Sequence, residues 1–293
     1  MVSIVAILVW RMPIYIVLPV FIVFALWDGI FLSAALTKIP QGAWVTLMIA
    51  GALTATFVLW RFGKEEQWKS EQKDNTPLSR VLYLNSIESG TQLELSPNFG
   101  GGPVLSTSGL GIFFDKTGSQ AVAPHILIQF LEKFRTVPQF IVLFHMRPLQ
   151  VATVAPEDRY SVSRCFASQS GGKEKVPIPN CFRLVLRYGY TDEVITPDLC
   201  KLVADAVRAY LTVESAKEGE NVRASLDALD RAYQDQCVFI VGKDQLRIKE
   251  GTNFMKWSFL TAFIWLRGIT RRKIQRLNVQ ADRLVEVGFI RDI

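Results

Sequence analysis

Asp28 is an acidic residue inside a long apolar part of the chain, where a carboxylate needs an explanation. Apart from Asp28, residues 1–60 carry only two charged side chains, Arg11 and Lys38. A charged side chain at the centre of a lipid bilayer costs about 2.5–3.5 kcal/mol on insertion scales, so it should face protein or water. Two interpretations remain open: an ion or proton relay group, or a polar residue hydrogen-bonded to a neighbouring helix.

A second cluster of chemically distinctive residues lies near the C-terminal end. Between Gly251 and Ala281 the chain has Lys and Arg residues interleaved with aromatic ones, and no Asp or Glu. Such a helix is typical of a contact with a membrane surface; a helix packed on its own domain, with a solvated basic end, is the alternative. The candidate membrane-contact residues are Arg267, Arg271, Arg272, Lys273 and Arg276.

Residues that build catalytic or metal sites are sparse. The two histidines, His125 and His145, stand alone, and no two of the four cysteines form a C-x-x-C pair. We therefore expect no catalytic residue, no metal site, no cofactor and no enzyme activity. We also expect the cysteines to be reduced and buried, as in an intracellular protein; they are Cys165, Cys181, Cys200 and Cys237.

The net charge of +6 falls almost entirely after residue 60. This excess is small for so long a segment, so we expect no nucleic-acid partner. It suits a domain that works beside an anionic membrane face.

The elements that carry Asp28 are predicted to be two membrane-spanning helices. Residues 13–36 carry one charge and residues 43–60 carry none. As helices, with a rise of about 1.5 Å per residue, they would reach roughly 36 Å and 27 Å, which suits a hydrocarbon core about 30 Å thick. The short link between them contains Pro40 and Gly42, so a tight helical hairpin is predicted.

Basic residues predict which side the rest of the chain occupies. Arg11, Arg61 and Lys64 flank the outer ends of the two spans, whereas Lys38 is the basic residue in the turn. The positive-inside tendency therefore predicts that the turn faces outwards and that the C-terminal region is cytosolic. Residues 1–12 are too short an apolar run to span a bilayer, and we interpret them as the end of a helix whose beginning is missing.

Residues 61–76 are predicted to be a charged linker region, in which the end of the helix is followed by a linker, and residues 77–293 a cytosolic α/β domain. Apolar patterns predict a helix over 124–134 between strands over 110–115 and 139–146. Residues 147–180 are predicted to be a long surface excursion. The alternation over 181–190 predicts a half-exposed strand, a candidate for an edge of the sheet. Further patterns predict strands over 81–85, 91–95 and 236–242 and a helix over 197–213.

Residues 23–64 resemble the last membrane hairpin of the HAK/KUP/KT potassium transporters. The matching residues, in order, are Asp28, Phe31, Ser33, Ala34, Leu36, Lys38, Gly42, Trp44, Trp60, Arg61, Gly63 and Lys64. Segments of the C-terminal region are similar to the cytosolic domain of the same family: "SGLGIFFDK", "VAPEDRYSVSRC", "RLVLRYGYTDEV" and "ADRLVEVGFI". The spacing and the length of this region resemble the fungal branch.

The resemblance implies a LeuT-like transporter of which this chain is the C-terminal portion. Residues 1–12 would end the tenth helix, and residues 13–60 would form the eleventh and twelfth. The implied activity is potassium transport in the plasma membrane, as a K⁺/H⁺ symporter, with potassium ion, proton and the lipid bilayer as partners of the full-length parent and a possible homodimer through the cytosolic domain.

The family's ion-coupling residues lie mainly in early core helices. The resemblance therefore implies no ion-binding residue in this chain, and a packing or gating role for Asp28. The alternative function is a membrane-tethered cytosolic regulatory or ligand-sensing module without transport activity.

Overall fold

The computed structural model describes residues 2–73, 75–87, 90–119, 122–169, 175–192, 198–218, 220–269 and 281–293. The chain divides into two compact units, Met1–Gly63 and Lys64–Ile293.

The first unit is helical. It contains α1 (Val2–Leu8), α2 (Ile14–Leu36) and the first part of α3 (Trp44–Lys73), and a π-helical turn over Ile39–Ala43 joins α2 to α3. Gly42 lies in this turn at φ 121°, a conformation that a side chain would disfavour.

Helices α2 and α3 are long and apolar enough to cross a membrane, which confirms the two predicted membrane-capable helices. Their large apolar side chains are mostly exposed within this chain. Such surfaces are stable when lipid or further protein covers them.

Helix α3 continues to Lys73, so most of the segment predicted as a linker over 61–76 is helical instead. The physical reason lies in its charge spacing. Lys69 Nζ lies 3.0 Å from Glu65 Oε1 and 3.1 Å from Glu66 Oε1, and pairs three or four residues apart stabilise a helix.

The second unit is an α/β domain, as predicted. After the short helix α4 (Leu78–Val81), its strands are β1 (Leu82–Ile87), β2 (Gly90–Leu95), β3 (Gly102–Pro103), β4 (Leu105–Asp115), β5 (Thr136–Pro148), β6 (Tyr160–Gln169), β7 (Lys175–Tyr188), β8 (Cys237–Arg247) and β9 (Leu284–Asp292). The helices between them are α5 (His125–Phe134), α6 (Pro156–Arg159), α7 (Leu199–Glu218), α8 (Glu220–Asp235) and α9 (Phe254–Ile269).

Within the described residues these strands form one mixed sheet in the order β3-β2-β1-β6-β7-β5-β4-β8-β9. From β7 to β9 each neighbouring pair is parallel, whereas β6 pairs antiparallel with β7. The parallel strands β4, β5, β7 and β8 therefore end at the same edge of the sheet.

Two apolar layers cover the sheet, because successive side chains of a strand point to opposite faces. Ile141 and Leu143 of β5 pack in the cluster that contains α5. Val142 and Phe144 of the same strand pack in the cluster that contains α7 and α8. Strand β5 is thus buried on both faces, as its continuous apolar run predicts.

Two predictions about the middle of the domain are wrong. Residues 147–180, predicted to be a surface excursion, contain β6 and the beginning of β7. The segment 181–190 was predicted to be a half-exposed strand at an edge, but its residues 181–188 belong to β7, which lies between β6 and β5. Arg183, one of the residues that indicated exposure, is buried; its Nη2 donates to the Val122 carbonyl oxygen over 2.9 Å and lies 3.7 Å from Asp115 Oδ2.

Candidate functional site

Asp28 lies in the second half of α2, with its side chain exposed. The neighbouring rings of Trp27 and Phe31 are also exposed and pack on each other, with centroids 5.9 Å apart. No hydrogen bond or ion pair joins Asp28 to another residue in the described part of the chain. Its predicted role in packing or gating remains a prediction.

Of the predicted membrane-contact residues, Arg267 lies in the last turn of α9 and is half-buried. Arg271, Arg272, Lys273 and Arg276 lie outside the described residues. Helix α9 buries Leu260 and Phe263 and exposes large apolar residues elsewhere on its surface.

A carboxylate that the sequence analysis did not select, Asp192, joins two of the segments that carry the family resemblance. Its Oδ2 accepts hydrogen bonds from the backbone N–H groups of Gly189, over 2.8 Å, and Val154, over 3.0 Å. Its Oδ1 accepts one from Arg159 Nη2 over 3.1 Å. The two backbone N–H groups lower the pKa of Asp192 below its ordinary value, because they stabilise the charged form.

Gly189 allows this connection because the backbone of another loop lies against it. A Cβ atom at Gly189 would lie 2.2 Å from the Ala152 carbonyl oxygen. That same oxygen accepts a hydrogen bond from the Thr191 backbone N–H over 3.0 Å. We call this group of residues the Asp192 junction: Gly189, Asp192, Ala152, Val154 and Arg159. Its hydrogen bonds and close backbone contact hold the two segments together.

A cavity of about 430 Å³ lies at the edge of the sheet where β4, β5 and β8 end. Its size suits a small molecule, and its position is that of ligand sites in open α/β sheets. Polar and apolar side chains mix in its lining, which includes Glu71, Phe114, Asp115, Lys116, His125, Phe144, His145, Met146, Tyr188, Asp244, Phe289 and Arg291.

Asp244 is the centre of an ion-pair network in this cavity. Its side chain is 1% exposed, and its Oδ2 pairs with Lys116 Nζ and with Arg291 Nη1, which lies 3.3 Å away. Arg291 Nη1 also lies 3.1 Å from Glu71 Oε1. Asp244 Oδ1 accepts no hydrogen bond from the residues that the structure describes.

Asp115, at the end of β4, is satisfied by its own turn. Its Oδ1 accepts from the backbone N–H of Thr117 over 2.9 Å, and its Oδ2 accepts from the backbone N–H of Gly118 over 3.1 Å. The Asp115 carbonyl oxygen lies 2.9 Å from His145 Nδ1. The sequence signal for Asp115 and Asp244 was available: each follows the apolar run of a parallel strand, Asp115 as the last residue of β4 and Asp244 in the second half of β8.

The two histidines of this cavity are not arranged as a metal site. His125 packs edge-on against Phe289, with ring centroids 4.6 Å apart. Among the described residues no group of three or more His, Cys, Asp or Glu side chains could hold a metal ion.

The cysteines differ from the expectation in part. Cys200 and Cys237 form a disulfide bond, so the prediction of four reduced cysteines is wrong for this pair; the fold brings the first turn of α7 beside the first residue of β8. Cys165 and Cys181 are free and buried. Their mutual hydrogen bond, together with burial, raises the pKa of Cys181 well above its ordinary value, so it stays a thiol at neutral pH.

Two family models match the chain in sequence order. The "K+ potassium transporter integral membrane domain" matches residues 1–65, and the "K+ potassium transporter C-terminal domain" matches residues 108–293. The second match alone covers more than half of the chain.

Curated relatives give the same result. The chain is 23% identical to Probable potassium transporter 4 of Oryza sativa subsp. japonica over 98% of its own length and 37% of the relative's. It is 27% identical to Potassium transporter 10 of Arabidopsis thaliana over 73% of its length and 24% of the relative's, and 22% identical to Potassium transporter 1 of the same plant over 97% and 37%. The chain therefore spans at most 37% of the length of these three relatives.

No solved structure matches the chain significantly. The family models nevertheless agree with the fold, since the first covers the apolar helices and the second covers most of the α/β domain. The chain belongs to the K⁺ potassium transporter family, whose C-terminal domain and part of whose integral membrane domain it carries.

Proposed function

We propose that this chain is the C-terminal portion of a longer potassium transporter. The match to both family models, in chain order, carries this proposal. The exposed apolar surfaces of α2 and α3 support it, because such surfaces call for lipid or further membrane helices. The alternative of a standalone ligand-sensing module is not favoured, since the relatives are named potassium transporters.

We further propose that the longer transporter is a multi-pass K⁺/H⁺ symporter with a LeuT-like core in the plasma membrane. Substrate sites in such folds lie at broken helices near the bilayer midplane, so the potassium ligands would lie in core helices other than α2 and α3. The α/β domain would be cytosolic, with residues 1–60 in the membrane region, and two copies would pair through it.

A growth test in cells that lack potassium uptake distinguishes these roles. The full-length parent should restore growth on low potassium, with uptake that rises as external pH falls if protons move with potassium. The present chain, expressed to the same level in the membrane, should not restore growth. Rescue by this chain alone would contradict the proposal.

A further inference from the structure

Helix α9 presents an apolar face to its surroundings instead of a charged one. Leu260 and Phe263 are fully buried, whereas Phe254 is 78% exposed, Trp265 69% and Ile269 65%. A helix on the surface of a soluble domain normally shows charged or polar residues on the side opposite its core face. Exposed apolar patches of this kind mark interaction sites.

The spacing of these residues aligns them along the helix. Phe254, Trp265 and Ile269 are separated by eleven and four residues, about three turns and one turn of helix, which places them on one face. Ser258, Thr261 and Ala262 are exposed on the same side of the helix, whereas Phe259, which is also exposed, lies on a different side. Met255 and Trp257 flank the row, and the Trp257 ring stacks on Phe254 with centroids 6.3 Å apart. These five large residues are called the α9 face.

The charged residues of the α9 segment itself are all basic. Between Gly251 and Ala281 no acidic residue occurs, and Lys256 and Arg267 lie within the helix itself. Lys256 forms an ion pair with Glu66 of α3, and Glu66 follows Trp60 by six residues in the sequence. This ion pair links helix α9 to the part of α3 that follows the apolar stretch in the sequence.

We propose that the α9 face docks on an anionic lipid surface, with Trp265 and Ile269 at the level of the lipid headgroups. Trp and Phe with neighbouring Lys and Arg suit the boundary between acyl chains and headgroups, and anionic lipids attract basic segments beside a span. This proposal goes beyond potassium transport and does not rest on it, since it requires only that the chain is anchored in a membrane with its α/β domain on the side that carries anionic lipids.

A second copy of this chain is a less suitable occupant of the α9 face. A two-fold contact would place the same face of each copy against the other. It would bring two acid-free basic segments together, and like charges in contact are unfavourable. A lipid surface instead supplies the missing negative charge.

Nitroxide accessibility tests this docking in the full chain, reconstituted in nanodiscs of phosphatidylcholine with or without phosphatidylserine. A spin label is attached at Trp265→Cys, and its collision rates with oxygen, which concentrates in lipid, and with a water-soluble nickel chelate are compared. Val213→Cys is the matched control, because Val213 is an equally exposed apolar residue on α7. The unsubstituted chain reports any labelling of the native cysteines, and circular dichroism verifies that both variants fold.

The label at position 265 should show a severalfold higher ratio of oxygen to nickel collisions than the label at position 213, and phosphatidylserine should raise that ratio further. A ratio equal to that of position 213 would show a face in water and overturn the proposal. Protection from both reagents would show a protein partner, such as a second copy or another part of the transporter, and would also overturn it.

Discussion

At the scale of single residues, the clearest chemistry of the α/β domain is structural. Asp192 organises its junction with hydrogen bonds to two backbone N–H groups and one guanidinium group. Its side chain is only 4% exposed, so water cannot replace these partners fully. The two segments around Asp192 that resemble the transporter family therefore have a structural role. A catalytic role is not needed to explain them.

Replacing Gly189 by alanine should destabilise the domain by about 1–3 kcal/mol, the usual cost of an extra methyl group in a packed site. The cause is the contact of 2.2 Å that the new Cβ atom would make with the Ala152 carbonyl oxygen. Thermal unfolding of the full chain in detergent measures the change. Gly288→Ala is the matched control, because no atom lies within 4 Å of its added Cβ. Equal melting temperatures for the two variants would contradict the described junction.

Asp192→Asn should remove part of the acid sensitivity of the domain. Because the folded state lowers the pKa of Asp192, its carboxylate stabilises the fold above the ordinary value of about 3.9 and loses that effect as pH falls through the lower folded value. The variant should therefore have a lower free energy of unfolding than the parent at pH 7. This difference in unfolding free energy should become smaller as pH falls below about 4. Chemical denaturation of both proteins across this pH range measures the difference. A difference that stays constant with pH would contradict stabilisation by the charged carboxylate of Asp192.

Asp28→Asn in the full-length transporter separates gating from ion binding. If Asp28 acts in packing or gating, the substitution should lower the maximal rate of potassium uptake and leave the apparent affinity for potassium unchanged, because no potassium ligand is lost. Ser33→Ala, five residues further on, is the control for a mild change on α2. A weakened affinity for potassium with an unchanged maximal rate would contradict the gating role.

At the scale of elements, the Cys200–Cys237 disulfide links α7 to β8, whose chain positions are separated by 37 residues. A covalent link across a loop of this length typically contributes about 2–4 kcal/mol to stability. In a reducing cytosol such a pair is kept as thiols, so the same domain would be less stable there than in an oxidising buffer.

Reduction should therefore lower the unfolding free energy of the oxidised full chain by about 2–4 kcal/mol. The double variant Cys200→Ala and Cys237→Ala should not respond to reductant, whereas Cys165→Ala, which removes a buried free thiol, should respond as the unsubstituted chain does. An unsubstituted chain that is insensitive to reductant would show that the two sulfur atoms are not bonded.

The elements also show how far sequence patterns reach. Strand β5 and helix α5 were predictable, because a continuous apolar run and a helical repeat are local signals. Strand β6 was missed because "YSVSRCFASQ" mixes polar and apolar residues inside a region rich in Pro, Ser and Gly. Burial of Arg183 depends on Asp115 and Val122, far away in the chain. No local pattern could reveal those partners, so β7 resembled an edge strand.

The candidate sites were likewise predictable only where their signal is local in the sequence. The apolar spans and the basic, acid-free segment are compositional and were visible in the sequence. The Asp244 network needs Lys116 and Arg291 from two other parts of the chain, and its assembly depends on the strand order. The helix end within 61–76 was predicted, but its extent to Lys73 was not, because charged residues after a span are equally typical of a linker and of a helix stabilised by ion pairs.

At the scale of the whole molecule, the account depends on two apolar helices anchoring an α/β domain on the cytosolic side of a membrane. The basic residues predict this orientation, because three of them flank the outer ends of the two spans (Arg11, Arg61 and Lys64) and one lies in the turn (Lys38). The family match supports a place for these residues in a transporter. The proposed docking of α9 requires the same orientation, because the cytosolic leaflet carries the anionic lipids.

Accessibility of two tags in intact cells tests this claim most directly, one tag inserted after Lys38 in the turn and the other placed after Ile293. We predict that an impermeant antibody binds the tag in the turn on intact cells and binds the C-terminal tag only after the membrane is permeabilised. Binding of the C-terminal tag on intact cells, or release of the chain from the membrane fraction by alkaline carbonate, would contradict the account.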